Sequence, residues 1–131
     1  FLDFLCANNI PHTIATMSEK SNVDFYIEEL HLAKWFDVDK IVYSNGKIPG
    51  KPAPDIFLIA AGKIGLNPKD CVVFEDAIAG INAAKAAGIG KIIAVDSIEP
   101  IEFYRDIDGL SGIITSFDEV DKSMFEIPSV I

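Results

Sequence analysis

The chain has 131 residues, a length that suits one domain. Half of the residues are hydrophobic and 24% are charged, which excludes a disordered segment, a collagen repeat and a disulfide-rich scaffold. The formal net charge is −9 at pH 7, and the basic residues are scattered along the chain. Because a net acidic surface repels phosphodiester backbones, we expect no nucleic-acid partner.

Two further features bear on where the protein works. No apolar stretch approaches the roughly 18 residues that span a bilayer, so we expect no membrane partner. The two cysteines, Cys6 and Cys71, are far apart and stand beside apolar residues, which predicts buried, reduced thiols in a cytoplasmic protein. The chain opens on Phe1 with neither an initiating Met nor the pattern of a signal peptide, so we expect further residues upstream.

Short apolar runs alternate with helical patterns along the chain. The runs predicted as strands are residues 13–16, 41–44, 71–75, 91–95 and 112–115. Continuous β-branched runs of this length suit strands that are covered on both faces, as in a parallel sheet.

Helices are predicted between these strands, over residues 1–9, 22–31, 54–64 and 77–87. Asn22 is a candidate N-cap, and Pro54 suits a first helical position. Gly65 and Gly88 suit left-handed stops. The alternation predicts an α/β fold of three layers, a doubly wound parallel sheet in one domain over residues 1–131. Ligands of such folds bind at the carboxyl ends of the strands.

The first strand ends in a polar segment that runs from Thr16 and Met17 to Asn22. Hydroxyls and backbone N–H groups beside a helix start can hold a phosphate. The alternative is that Ser18, Ser21 and Asn22 only cap the helix, and this segment alone favours capping.

Charged residues follow the next two strands. Lys51 lies between prolines, which would hold its positive charge in place for a phosphoryl group, although a solvated loop lysine is the commoner case. Glu75 and Asp76 end an apolar strand, where adjacent carboxylates need a compensating cation such as Mg²⁺. Neighbours on a strand point to opposite sides, so one of the pair would touch the metal and the other support it. Capping of the next helix by Asp76 is the alternative.

Residues 51–57 and 73–88 together resemble two motifs of the haloacid dehalogenase-like hydrolase superfamily, and within it the β-phosphoglucomutase-like phosphatases and mutases. The resemblance covers residues 10–97. It implies that Thr16 hydrogen-bonds the transferring phosphoryl group, with Met17 and Asn22 as further phosphate or substrate contacts. It also implies that Lys51 steadies the phosphoryl charge. The metal site that it implies is Asp76 with Glu75, for Mg²⁺.

The first motif of that family is not found. It is an Asp-x-Asp pair after an apolar strand, whose first Asp attacks phosphorus and whose second is the general acid and base. Residues 37–39 and 106–108 have the right letters, but both follow the second motif in chain order, and we expect them to be solvated loop acids. The resemblance places the missing strand at the centre of the sheet, and it places a substrate-selecting cap between the first and second motifs. Residues 1–131 would then be the C-terminal part of the core.

The resemblance implies a Mg²⁺-dependent phosphatase or sugar phosphomutase that acts on a small phosphorylated metabolite. The aspartyl phosphate would form on an Asp outside this chain, so the chain alone is predicted to be inactive. The alternative is a non-catalytic, truncated module that binds phosphate or Mg²⁺, or that self-associates through open sheet edges. A receiver-like signalling domain is a more distant alternative, because the early strand ends in Thr16 where such a domain needs acidic residues.

Overall fold

The computed structural model describes residues 1–96 and 104–125. The α-helices are α1 (Leu2–Ala7), α2 (Lys20–Glu29), α3 (Asp55–Lys63) and α4 (Ile78–Ala86). The strands are β1 (Ala15–Glu19), β2 (Val42–Ser44), β3 (Val72–Glu75), β4 (Lys91–Val95) and β5 (Gly112–Ile114). Short 3₁₀ turns link several of these elements. The α/β class is therefore confirmed.

The strands form two parallel sheets. One contains β1 and β2, and the other contains β3, β4 and β5 in that order. Every pairing is parallel, as the β-branched runs predict. β1 and β3 are not hydrogen-bonded to each other. These are the two strands between which the resemblance places a first-motif strand.

Alternate side chains of the second sheet enter two different apolar clusters. Ile92 and Ala94 of β4 belong to the larger cluster, with α3 and α4 residues such as Ile56 and Ile81. Ile93 belongs to the smaller cluster. Phe1 packs in that cluster, and its ring lies 5.5 Å from that of Phe74. Because successive strand residues point to opposite faces, both faces of this sheet are covered, as the doubly wound fold requires.

The helix ends at α3 and α4 agree with the sequence. Gly65 and Gly88 have φ of +73° and +77°, so both adopt the left-handed conformation that glycine favours. Pro54 differs slightly from the prediction, since it is the N-cap of α3 and Asp55 is the first helical residue. α3 contacts β1 and β2, whereas α4 contacts β3 and β4.

The region around β1 corrects the prediction that Asn22 caps α2. β1 begins two residues later than expected and runs to Glu19, which becomes the extended N-cap residue of α2. Asn22 therefore lies within the first turn of the helix, and α2 has no side-chain capping hydrogen bond. Capping by Ser18 or Ser21 is wrong for the same reason.

Cys6 is exposed and Cys71 is half-buried, so the expectation of two buried thiols is wrong. Cys6 lies on the short helix α1, whose buried side is occupied by Leu5. Among residues 1–96 and 104–125, no helix has the length and apolar character needed to cross a membrane.

Candidate active site

An ion pair joins the loop after β2 to the end of β3. Lys51 Nζ donates to Glu75 Oε2 at 2.8 Å. The two side chains are only 17% and 10% exposed. A pair so far withdrawn from water interacts more strongly than a surface pair, and removal of either partner would leave a charge without compensation. The structure therefore brings together two of the residues that the sequence predicts for the site.

The second carboxylate oxygen of Glu75 turns towards the backbone that enters α4. Oε1 accepts the N–H of Asp76 at 3.2 Å and the N–H of Ala77 at 3.3 Å. Ala77 is the N-cap residue of α4, so the carboxylate lies at the positive end of that helix. Both oxygens of Glu75 thus have partners.

The loop that carries Lys51 is organised by its own polar groups. Asn45 Oδ1 accepts the N–H groups of Lys47 and Ile48 at 2.8 and 3.1 Å. The Lys51–Pro52 peptide bond is cis. The Lys51 ammonium lies 5.0 Å from the centre of the Phe57 ring on α3, a cation–π contact that holds the side chain from a second side.

Asp76 is exposed, and its backbone is fixed by a residue that the sequence analysis missed. The hydroxyl of Tyr104 donates to the carbonyl oxygen of Asp76 at 3.0 Å. Tyr104 is fully buried, with 0% exposure. Its only sequence signal is a large aromatic residue in a polar stretch, just before Asp106.

Thr16 and Met17 enter different surroundings on either side of β1. Met17 packs against the larger core cluster, and a Cβ on Gly50 would lie 3.7 Å from its terminal methyl carbon, so Met17 lies next to the Lys51 loop. Thr16 lines an apolar cavity of about 230 Å³ with α2 residues such as Val23, and its Oγ1 accepts the N–H of Ser18 at 3.1 Å. Asn22 is an exposed residue of α2.

The two Asp-x-Asp sequences lie outside strands. Asp37 caps a 3₁₀ turn, since its Oδ1 accepts the N–H of Asp39 at 3.1 Å. Asp106 and Asp108 are exposed residues of a turn that follows helical Tyr104 and Arg105. Residues 97–103 lie outside the described residues.

The carboxylates of Glu75 and Asp76 at the end of β3 are suitable ligands for a hard cation, but two side chains are too few to fill its coordination shell. Carboxylate oxygens are the ligands that Mg²⁺ prefers. In the described part of the chain, no group of three or more His, Cys, Asp or Glu side chains is placed to hold a metal ion. Asp76 and Glu75 would therefore supply only part of a magnesium site.

Comparison with known proteins decides the family. The model of the family described as haloacid dehalogenase-like hydrolase matches residues 1–88. The chain belongs to the haloacid dehalogenase-like hydrolase family. A probable pseudouridine-5'-phosphatase of Drosophila melanogaster is 41% identical over 133 residues, which cover 98% of this chain and 56% of that protein.

Two solved structures are similar to this chain in both fold and sequence. A haloacid dehalogenase hydrolase of family IA, variant 3, from Entamoeba histolytica has a TM-score of 0.90 and 40% identity, and covers 94% of this chain and 55% of its own. A putative β-phosphoglucomutase from Thermotoga maritima has a TM-score of 0.73 and 30% identity, over 86% of this chain and 51% of its own. The predicted resemblance is confirmed, and the chain spans about half the length of these relatives.

Proposed function

We propose that the chain forms the larger part of the active site of a Mg²⁺-dependent phosphatase or phosphomutase that acts on a small phosphorylated metabolite. The observation that carries this is the Lys51–Glu75 ion pair, 2.8 Å long, beside Asp76 at the end of β3. The relatives are named as phosphatases and as a phosphoglucomutase, which supports phosphoryl transfer as the reaction class.

In this proposal, each side chain has one task. Lys51 neutralises the negative charge of the phosphoryl group, which grows towards the transition state. Thr16 donates its hydroxyl proton to a phosphoryl oxygen while its Oγ1 accepts the N–H of Ser18. Met17 and Asn22 are further contacts to the phosphate or the substrate.

Asp76 would ligate the magnesium ion directly. Glu75 would hold Asp76 in place, because its carboxylate accepts the backbone N–H groups of Asp76 and Ala77. Glu75 has both oxygens engaged by Lys51, Asp76 N–H and Ala77 N–H, so it suits the supporting role. A bound Mg²⁺ would withdraw charge from the phosphoryl oxygens.

The nucleophilic aspartate would come from a segment outside residues 1–131. β1 and β3 carry the second-motif and fourth-motif residues and do not pair with each other, so a strand between them could place an aspartate beside Lys51. The chain spans 55% or less of the two solved relatives, which leaves ample length for such a strand and for a cap. A cytoplasmic location and the lack of a nucleic-acid partner stay predictions from composition.

Phosphate release from a panel of sugar phosphates with added Mg²⁺ tests the proposal. The isolated chain should release none, whereas a longer polypeptide that contains it should turn over. In that polypeptide, Lys51→Met and Asp76→Asn should each abolish the reaction. Turnover by the isolated chain that is lost in Asp106→Asn would show that the nucleophile is Asp106 and would overturn the proposal.

A non-catalytic role is favoured by one observation. β1 pairs only with β2 and β3 only with β4, so each has one edge with no strand partner among the described residues. Open edges can recruit a strand from a second copy. Gel filtration with light scattering separates the two proposals, since a dimer of the chain would favour edge pairing and a monomer would argue against it.

A further inference from the structure

Gly80 is a buried residue inside α4, the helix that follows the acidic pair. Glycine is less favourable than alanine within a helix, because it loses more backbone freedom on folding. The backbone of Gly80 is helical and is not among the glycines with positive φ. Its conformation therefore gives no reason for glycine at this position.

The space beside Gly80 does give a reason. A Cβ built on Gly80 would lie 2.0 Å from Cδ, 2.2 Å from Oε2 and 2.3 Å from Cγ of Glu75. Non-bonded atoms cannot approach so closely. The carboxylate of Glu75 thus occupies the volume that any larger residue at position 80 would fill.

That carboxylate is also the one that holds Lys51. Its Oε2, the oxygen 2.2 Å from the Cβ position, accepts the 2.8 Å hydrogen bond from Lys51 Nζ. We propose that Gly80 is a positioning residue. Because it has no side chain, it leaves room for the Glu75 carboxylate, and the carboxylate in turn holds the Lys51 ammonium in place. The importance of this for phosphoryl transfer rests on the proposed function, but the contacts themselves do not.

Gly62 provides a matched control within the same chain. It lies inside α3, and a Cβ built there would have no atom within 4 Å. Replacing Gly62 with alanine therefore changes helix propensity alone. The same replacement at Gly80 changes helix propensity and also displaces Glu75.

The first test combines thermal unfolding with a double substitution. Gly62→Ala should raise the melting temperature by about 4 °C, whereas Gly80→Ala should lower it. In a Glu75→Ala background, which empties the space, Gly80→Ala should raise the melting temperature about as much as Gly62→Ala. A similar loss from Gly80→Ala in both backgrounds would overturn the proposal, because the clash would then lie elsewhere in α4.

The second test observes Lys51 directly and does not depend on Glu75→Ala folding. An ammonium group held by a carboxylate exchanges its protons slowly, so its ¹H–¹⁵N signal is visible at low temperature, and Lys51→Met assigns it. The signal should persist in Gly62→Ala and vanish in Gly80→Ala. An unchanged signal in Gly80→Ala would refute the positioning role. Neither test requires phosphoryl transfer, so failure of the proposed function would leave both results interpretable.

Discussion

The two parallel sheets differ in how regularly their strands pair. β3 and β4 are matched over four successive pairs, from Val72 with Lys91 to Glu75 with Ala94. In β1 and β2 the register shifts between the pairs Ala15–Val42 and Glu19–Ser44. The regular sheet is covered on both faces and supplies Glu75 of the buried Lys51–Glu75 pair, whereas the irregular one carries Thr16 beside an apolar cavity.

Of the helices beside the two sheets, α4 and α2 differ in the same direction, whereas α3, which contacts β1 and β2, buries as many residues as α4. α4 buries four of its nine residues, but α2 buries only Val23 and leaves Phe25 59% and Tyr26 45% exposed. Regular pairing and coverage of both faces should make the β3–β4–β5 half more stable than the α2 side of the other half, because more apolar surface is removed from water there.

The largest expected difference between the halves is in how much stability is lost when a buried aliphatic side chain is shortened to alanine. Ile81 on α4 is 0% exposed, so Ile81→Ala should lower the free energy of unfolding by about 3–4 kcal/mol. Val23→Ala on α2 removes fewer atoms, beside an existing cavity, and should cost about 1.5 kcal/mol. Urea unfolding of both variants measures this, and a loss from Val23→Ala as large as that from Ile81→Ala would contradict the expected difference in packing.

The charged pairs should differ next. Lys51→Met leaves the Glu75 carboxylate, 10% exposed, without its cation, and should lower the free energy of unfolding by about 2–3 kcal/mol. The matched control is Lys20→Met on α2, whose pair with Asp24 has side chains 66% and 57% exposed and should contribute nothing measurable. The account is contradicted if the two substitutions have the same effect.

A smaller effect is expected from a single hydroxyl. Tyr104→Phe removes the hydrogen bond to the carbonyl oxygen of Asp76 and should cost about 1 kcal/mol in urea unfolding. Tyr26→Phe on α2 is the control, since Tyr26 is 45% exposed and should give no change. A Tyr104→Phe protein as stable as the parent would mean that the hydroxyl does not fix Asp76.

The smallest effect concerns the two thiols. Burial raises the pKa of the Cys71 thiol above its ordinary value, and the charge of Asp70 adds to this, whereas Cys6 is exposed. Because the pKa of the Cys71 thiol is higher in the folded state than in the unfolded state, the neutral thiol contributes to the stability of the fold. That contribution is complete below the unfolded pKa and is lost as pH rises through the folded pKa.

Alkylation with iodoacetamide, followed by mass spectrometry from pH 7 to 10, measures the thiols directly. Cys6 should react first, and the reaction of Cys71 should rise only at higher pH. Faster alkylation of Cys71 than of Cys6 at pH 8 would contradict the assignment. Cys71→Ser should remove the loss of stability at high pH.

Sequence reasoning succeeded where local pattern and tertiary environment agree. β4 runs over the predicted residues 91–95, because an unbroken β-branched run is what a strand buried on both faces requires. The stops at Gly65 and Gly88 were predictable because a left-handed helix end favours glycine. Lys51 and Glu75 were predicted as site residues after the second strand and at the end of the third, and the structure joins them in an ion pair.

It failed where a distant contact decides the local structure. Asn22 is a good capping residue, but the pairing of Glu19 with Ser44 extends β1, so that α2 begins before Asn22. Tyr104 reaches Asp76 from 28 residues away, and nothing in its own neighbourhood indicates that contact. The need for glycine at position 80 is a matter of space beside Glu75, which propensity does not report.

The proposed function requires Thr16, Lys51 and the acidic pair to lie within reach of one bound metal ion and its phosphoryl group. Titration of the ¹⁵N-labelled chain with Mn²⁺, a paramagnetic substitute for Mg²⁺, tests it most directly. We predict that the amide signals of Glu75 and Asp76 broaden first, followed by those of Lys51 and Thr16. Earlier broadening at the exposed Asp118 and Asp121, or a Thr16 signal that stays sharp while that of Asp76 disappears, would contradict the account.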